Sequence, residues 1–352
     1  MQIIGFGGPK SQSGVRTVEA GWGELDTVAS MDVSVVMPVR NEETHLEVAV
    51  ERVLQQDRDG QLEVIIAVGP SGDRTEAIAA ALAEKHGEVT VVDNPTGYTP
   101  AGLNIAIAAA KYDVIVRVDG HGELSDGYIL TAVRLLEETG AANVGGVMDA
   151  HGRTPLERAI AAAYNSPYGL GGGGFHVKDT PAGPAQTVFL GVFRRDALES
   201  VGGFDESLHR AQDWELNYRL RKAGFRIWFS PELRVVYRPR STYKALAQQF
   251  YRTGSWRREI IRRYPETASA RYLAPPVAVA GFTGGLLGGL VGLLARNRYL
   301  TFLLLAPAVY TLFVLVATLR INADFEAKLR LPLVLAVMHG CWGAGFMRST
   351  PA

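Results

Sequence analysis

The sequence predicts an α/β fold, a mostly parallel sheet covered by helices, followed by a C-terminal membrane region. Three observations lead there. From residue 33 onwards, short Val/Ile-rich runs alternate with Ala/Leu/Glu-rich helical stretches, the order that joins parallel strands through helices. Those runs lack a clean polar–apolar alternation, as strands buried on both faces do. Beyond Tyr272 the texture changes to long apolar, glycine-rich segments.

Taken in order, residues 33–39 form the first strand, and 42–56 a helix with Asn41 as its N-cap. Residues 62–68 are the second strand, 73–86 a helix, 89–93 the third strand, 100–111 a helix and 113–118 the fourth strand. Further on, Trp214, Leu216 and Leu220 continue a helix whose opening turn holds Asp213, close to a positive helix N-terminus. Residues 1–30 read as a weakly specified leader without the basic start and apolar core of a signal peptide. Residues 31–265 form the catalytic-type domain, and 266–352 a membrane region with two or three apolar segments, at 273–295, 299–319 and 331–347. Pro275 and Pro276 would also suit a re-entrant first segment, and the last is short enough to be a buried hairpin arm. Arg257, Arg258, Arg262, Arg263 and Arg271 place the preceding flank in the cytoplasm. Arg296 and Arg298 then fall on the wrong side of a spanning first segment, so the topology stays open.

Composition narrows the function. The 352 residues carry 36 basic and 36 acidic side chains, which argues against a nucleic-acid binder working through bulk positive potential. A single cysteine, Cys341, excludes an internal disulfide framework and fits a reducing compartment. The P-loop pattern is absent, and His45, His86, His151 and His339 lack zinc-ligand spacing.

Two clusters carry the chemistry. The strand at 113–118 runs into Asp119-Gly120-His121, where Asp119 and His121, two residues apart, can converge on a cation beyond the strand's carboxyl end. A carboxylate with an imidazole favours Mn²⁺, although Mg²⁺ also bridges phosphates; a polar turn is the competing reading. The second cluster is Gln212-Asp213-Trp214-Glu215, in which Asp213 is either a general base or a helix-capping acid. Between them, a glycine run at 171–174 followed by His176, Lys178 and Asp179 reads as a mobile acceptor loop.

In this order, Val35-Val36-Met37-Pro38-Val39-Arg40-Asn41-Glu42-Glu43, Asp119-Gly120-His121 and Gln212-Asp213 resemble the family 2 inverting glycosyltransferases, whose fold is GT-A. Over residues 33–258 the chain is closer still to the bacterial exopolysaccharide glucosyltransferases of the succinoglycan type. Gln212 to Arg221, Tyr237-Arg238-Pro239-Arg240 and Gln249-Phe250-Tyr251-Arg252-Thr253-Gly254-Ser255-Trp256-Arg257 follow that subgroup's pattern. The resemblance implies that Asp119, with His121, holds Mg²⁺ or Mn²⁺ and that Asp213 is the catalytic base. It also implies a donor site for a UDP-sugar on Pro38, Arg40, Glu42, Ser71, Asp73, Asp93, Arg117 and Asp119, with Arg252, Trp256 and Arg257 as a lid over its phosphates. For the last three, a basic segment held by anionic lipid is the alternative.

Two departures qualify the resemblance. Val68-Gly69-Pro70-Ser71-Gly72-Asp73 replaces the acidic stretch that helps hold uracil, and the processive synthases' Gln-X-X-Arg-Trp motif is not intact, so one sugar per acceptor is expected. The expected function is transfer of a hexose, glucose foremost, to a polyprenyl-diphosphate-linked saccharide at a bacterial inner membrane, with the catalytic domain in the cytoplasm. Expected partners are the nucleotide sugar, the lipid acceptor, the bilayer and other polysaccharide-assembly proteins, not nucleic acid. The alternatives are a polyprenyl-phosphate monosaccharide synthase and a noncatalytic nucleotide-sugar-binding subunit.

Overall fold

The computed structural model describes residues 31–170, 174–177 and 179–348, so the expected leader, three glycines of the expected acceptor loop and Lys178 lie outside the described residues. β1 (Val33–Val39), β2 (Leu62–Val68), β3 (Val89–Asp93) and β4 (Val114–Arg117) lie parallel and are linked through α1 (Leu46–Leu54), α2 (Thr75–Lys85) and α3 (Thr99–Ala109). The chain continues through β5 (Glu123–Leu124), α4 (Tyr128–Thr139), β6 (Asn143–Ala150), α5 (Pro155–Tyr164), α6 (Pro167–Leu170), β7 (Gly183–Pro184) and β8 (Phe189–Arg194). Then follow α7 (Arg195–Ser200), α8 (Gln212–Lys222), β9 (Ile227–Tyr237) and α9 (Tyr243–Arg263). All strands join one mixed sheet, ordered β3-β2-β1-β4-β8-β6-β9-β5, with β7 paired to β9. The predicted parallel half is β1 to β4; β8 runs antiparallel to both of its neighbours, β4 and β6.

The sheet is buried on both faces, as its unbroken Val/Ile runs require. Val35, Met37 and Val64 pack with Leu46, Val50 and Tyr128 on one side, while Val36, Ile65 and Ile115 pack with Leu103, Leu198 and Leu216 on the other. β2 is buried throughout, whereas β3, at the edge, is partly exposed.

The C-terminal region forms α10 (Ala270–Leu294), the short α11 (Arg298–Thr301), α12 (Leu305–Arg320) and α13 (Phe325–Met347). Three helical stretches here, Ala270–Leu294, Arg298–Arg320 and Phe325–Met347, are long and apolar enough to cross a membrane, which points to membrane association. Leu294, Leu319 and Val277 are strongly exposed, as lipid-facing side chains are. α13 starts six residues before the predicted apolar segment, because Asp324 caps it by accepting from the Ala327 N–H at 3.1 Å. One face of α13 is buried against α5 and α9 through Leu331, Val334, Leu335 and Met338, tying the membrane region to the sheet domain. Glycines make that contact close: a Cβ on Gly254 would stand 2.1 Å from the Trp342 carbonyl oxygen.

Two local expectations differ. Asn41 does not cap α1, which begins at Leu46 after a Glu42–His45 turn; Asn41 takes a left-handed φ of 55° and accepts from the Gly72 N–H at 2.8 Å instead. β4 ends at Arg117, so strand alternation does not set the spacing of Asp119 and His121. They belong to a turn closed by a Gly122 N–H to Asp119 O bond of 2.7 Å.

Candidate active site

β1 is flanked by β2 on one side and β4 on the other, the switch point at which an open α/β sheet forms a crevice beyond its carboxyl ends. From the end of β1 come Pro38, Arg40 and Glu42; from the end of β4 come Arg117, Asp119, Gly120 and His121. The first turn of α8 adds Gln212, Asp213 and Trp214, and α9 closes the far side with Gln249, Thr253, Trp256 and Arg257. Together they enclose about 500 Å³. Gly120 is required by close approach, because a Cβ there would lie 2.9 Å from Val39 Cγ1 and 3.0 Å from Glu42 Cγ.

Arg117 organises the centre. Its buried guanidinium donates from Nη2 to Asp119 Oδ1 at 2.9 Å and from Nη1 to Asp213 Oδ1, so one cation fixes both carboxylates predicted to do the chemistry. Burial opposes ionisation of Asp119, but Arg117 and His121 beside it outweigh that cost and hold its carboxyl below the usual range. His121 Nδ1 pairs with Glu42 Oε1 at 2.8 Å; that bond, against the cost of burial, raises the imidazole pKa above its ordinary value. Asp213 follows Ala211, a non-glycine residue at φ 62°, a conformation costing about 1 kcal/mol that aims the first turn of α8 into the cavity.

Of the predicted donor residues, Pro38, Arg40, Glu42, Arg117, Asp119, Trp256 and Arg257 line this cavity with His121 and Asp213. Arg257 is buried over the Trp214 ring at 4.6 Å and the Tyr272 ring at 4.0 Å, and its Nε and Nη1 have no hydrogen-bond partner. Orphaned guanidinium donors beside a cavity fit a phosphate. Ser71, Asp73, Asp93 and Arg252 do not line it. Ser71 Oγ accepts from the Asn41 N–H at 3.2 Å and Asp73 Oδ2 from the Glu43 N–H at 3.2 Å, so both hold the loop that carries Arg40 and Glu42. Asp93 ends β3 exposed, beside Asn94, which does line the cavity.

Sequence reasoning missed Asn94, His209, Arg210, Tyr237 and Arg240 as lining residues. The Tyr237–Arg240 pattern was the available signal for the last two. Asn94 and His209 lie in loops without a local motif, and stacking of His209 on Tyr98, ring centroids 3.7 Å apart, is visible only in three dimensions.

No group of three or more metal-ligating side chains occurs among the described residues. Asp119 and His121 are thus at most a two-ligand set, which fits a divalent cation shared with a bound diphosphate. The Glu42 contact engages His121 Nδ1 and leaves Nε2 for such a cation, the usual way a carboxylate orients a ligating imidazole.

The mixed α/β sheet, with its crevice beyond the carboxyl ends of β1 and β4, has the GT-A fold of nucleotide-sugar transferases. Residues 34–202 match the family model described as glycosyl transferase family 2. The chain is also 33% identical over 272 residues, 77% of its length and 82% of the relative's, to the succinoglycan biosynthesis protein ExoA of Rhizobium meliloti (strain 1021). It belongs to glycosyltransferase family 2 and is ExoA-like. A more distant relative, 24% identical over 66% of this chain and 74% of its own, is the dolichyl N-acetyl-alpha-D-glucosaminyl phosphate 3-beta-D-2,3-diacetamido-2,3-dideoxy-beta-D-glucuronosyltransferase of Methanococcus voltae. Among solved structures, the fold is similar to the mannosyltransferase PcManGT from Pyrobaculum calidifontis in complex with GDP-Man and Mn²⁺. The TM-score is 0.55 at 18% identity, covering 90% of this chain and 86% of that one.

Proposed function

We propose that this chain is an inverting hexosyltransferase that moves a hexose, glucose foremost, from a UDP-sugar to a polyprenyl-diphosphate-linked saccharide in exopolysaccharide or cell-envelope glycan synthesis. The observation that carries this reading is the Arg117 bridge, which holds Asp119 and Asp213 in one cavity at the switch point. A divalent cation, Mg²⁺ or Mn²⁺, held by Asp119 and His121 would supply charge neutralisation for the departing diphosphate. Arg257 offers its unpaired donors to the donor phosphates. Arg117 keeps Asp213 fixed through Oδ1, and among the described residues no hydrogen bond reaches Oδ2, which faces its task as acceptor of the attacking hydroxyl's proton. Attack opposite the leaving group inverts the anomeric centre, so an α-linked donor yields a β-linkage.

The role of ExoA in succinoglycan biosynthesis supports the exopolysaccharide setting, the dolichyl-linked substrate in the name of the Methanococcus relative supports a lipid acceptor, and the GDP-Man and Mn²⁺ bound by PcManGT support nucleotide sugar and metal use. The three apolar helices would anchor the catalytic domain on the cytoplasmic side of a bacterial inner membrane, next to a lipid-bound acceptor. The test is incorporation of labelled sugar into extracted lipid by membranes containing the protein, with a panel of UDP- and GDP-sugars and either cation. A labelled lipid from one UDP-hexose supports the reading; no labelled lipid from any donor, with the protein folded and acceptor lipid supplied, overturns it.

A further inference from the structure

Beyond the cations engaged by its acids, the active-site cavity carries a second group of arginines. Arg117 is committed to Asp119 and Asp213, Glu42 to His121, and Arg257 is held between the Trp214 and Tyr272 rings. On the side of Tyr237 stands a second group, Arg210, Arg240 and Arg252. Arg210 and Arg240 line the cavity, and Arg252 lies one helical turn before Trp256 on α9. Among the described residues none of the three forms an ion pair with a carboxylate; Arg240 bonds only Gln249 Oε1, at 3.3 Å. They repel one another: burial and then the charges of Arg252 and Arg240 lower the pKa of the half-buried Arg210. Arg240 and Arg252 are exposed and Arg210 is half-buried, so three guanidiniums without a carboxylate stand open to an anion from solution.

Behind this cluster, beyond buried aromatic side chains, lies an apolar groove. α9 is a shared wall: Gln249, Thr253, Trp256 and Arg257 face the catalytic cavity, while Phe250 faces a groove of about 860 Å³ between α6 and the membrane helices. Tyr168, Phe250, Pro275, Val309, Phe313 and Met338 line that groove. An aromatic layer links the two walls: Phe250 meets Tyr164 at 5.7 Å between ring centroids, and Tyr164 meets Tyr237, itself in the cavity wall, at 5.6 Å. Cationic head site and hydrocarbon-lined groove are thus one short step apart.

Resting on the transferase reading above, we propose that Arg210, Arg240 and Arg252 form an acceptor subsite for the phosphate or diphosphate of a long-chain lipid, whose chain lies in the groove behind α9. The donor diphosphate takes the opposite side, at Arg257 and the Asp119 turn. No bond is made or broken at this subsite; it places the acceptor saccharide toward Asp213.

The experiment measures binding of labelled farnesyl diphosphate to the full chain in nanodiscs of neutral lipid, with saturating UDP and divalent cation present. Wild type is expected to bind it at least about tenfold more tightly than either inorganic diphosphate or farnesol, and Arg210→Gln to weaken it by about tenfold or more while UDP affinity holds. Arg240→Gln, on an exposed side chain, gives the same reading should Arg210→Gln fail to fold. Full displacement by UDP, unchanged binding in both variants, or equal competition by phosphatidylglycerol vesicles would overturn the subsite. Because the readout needs no turnover, binding without sugar transfer would sink the transferase reading and leave this subsite standing.

Discussion

Arg117→Met removes the cation that joins the two candidate catalytic acids, and the structure sets the size of the effect. The arginine side chain is only 5% exposed, while those of Asp119 and Asp213 are 26% and 34% exposed, so water compensates the carboxylates in part and the guanidinium hardly at all. Breaking a buried charge pair costs about 3–5 kcal/mol; with two acids partly solvated, about 3 kcal/mol is expected at neutral pH. Arg117→Lys should fall between, because a single ammonium cannot present the planar fork that reaches both acids. The assay is chemical or thermal unfolding of the detergent-solubilised protein, with the Arg117→Met, Asp213→Asn double variant alongside. Removing one of the two stranded carboxylates should restore part of the loss, a coupling that a mere packing defect lacks. An Arg117→Met protein within about 0.5 kcal/mol of wild type, the range of an ordinary surface change, would refute the bridge as the organising contact.

Chelation of divalent cations, or Asp119→Ala, should weaken UDP-sugar binding by about tenfold or more, read by calorimetry, with Glu42→Gln giving a smaller loss through the orientation of His121. Gly254→Val should destabilise the contact between α9 and α13 by about 1–3 kcal/mol, because its Cβ would meet the Trp342 carbonyl at 2.1 Å; the midpoint of unfolding reports it. Burial, with Arg271 nearby, holds the His176 imidazole down to about 3, below its unfolded value. The unfolded chain therefore binds the extra proton first, and stability should fall as pH drops below about 6.5, by up to about 2 kcal/mol at pH 5. His176→Phe should flatten that slope.

The parallel half of the sheet was legible because its strands are continuous Val/Ile runs separated by helix-length segments, and β1, β2 and β3 fall where the pattern puts them. Helix starts were less so. Asn41 has the right side chain for an N-cap, but its amide serves the Gly72 N–H across the loop, a contact 31 residues away in sequence. Asp119, His121 and Asp213 were recognisable from motif and order, and the structure gathers them in one cavity. The bridge between them was not legible: Arg117 and Asp213 are 96 residues apart, and the resemblance marks Arg117 as a donor-site residue, not as the partner of both acids. Arg210 was hidden for the same reason, since its meaning comes from Arg240 and Arg252 on other elements. The start of the third membrane helix was harder to read than that of the second because its first turns carry Glu326, Lys328 and Arg330 ahead of the apolar run.

The most direct test of the account is the pair of donor affinity and transfer rate in Asp213→Asn, measured with the same UDP-sugar and cation on the same membranes. Donor affinity is expected to stay within about threefold of wild type and transfer to fall by at least about a hundredfold, the contribution of a general base. Transfer close to the wild-type rate with donor binding intact would contradict it, and would hand the proton to another group or to an acceptor that is already an anion.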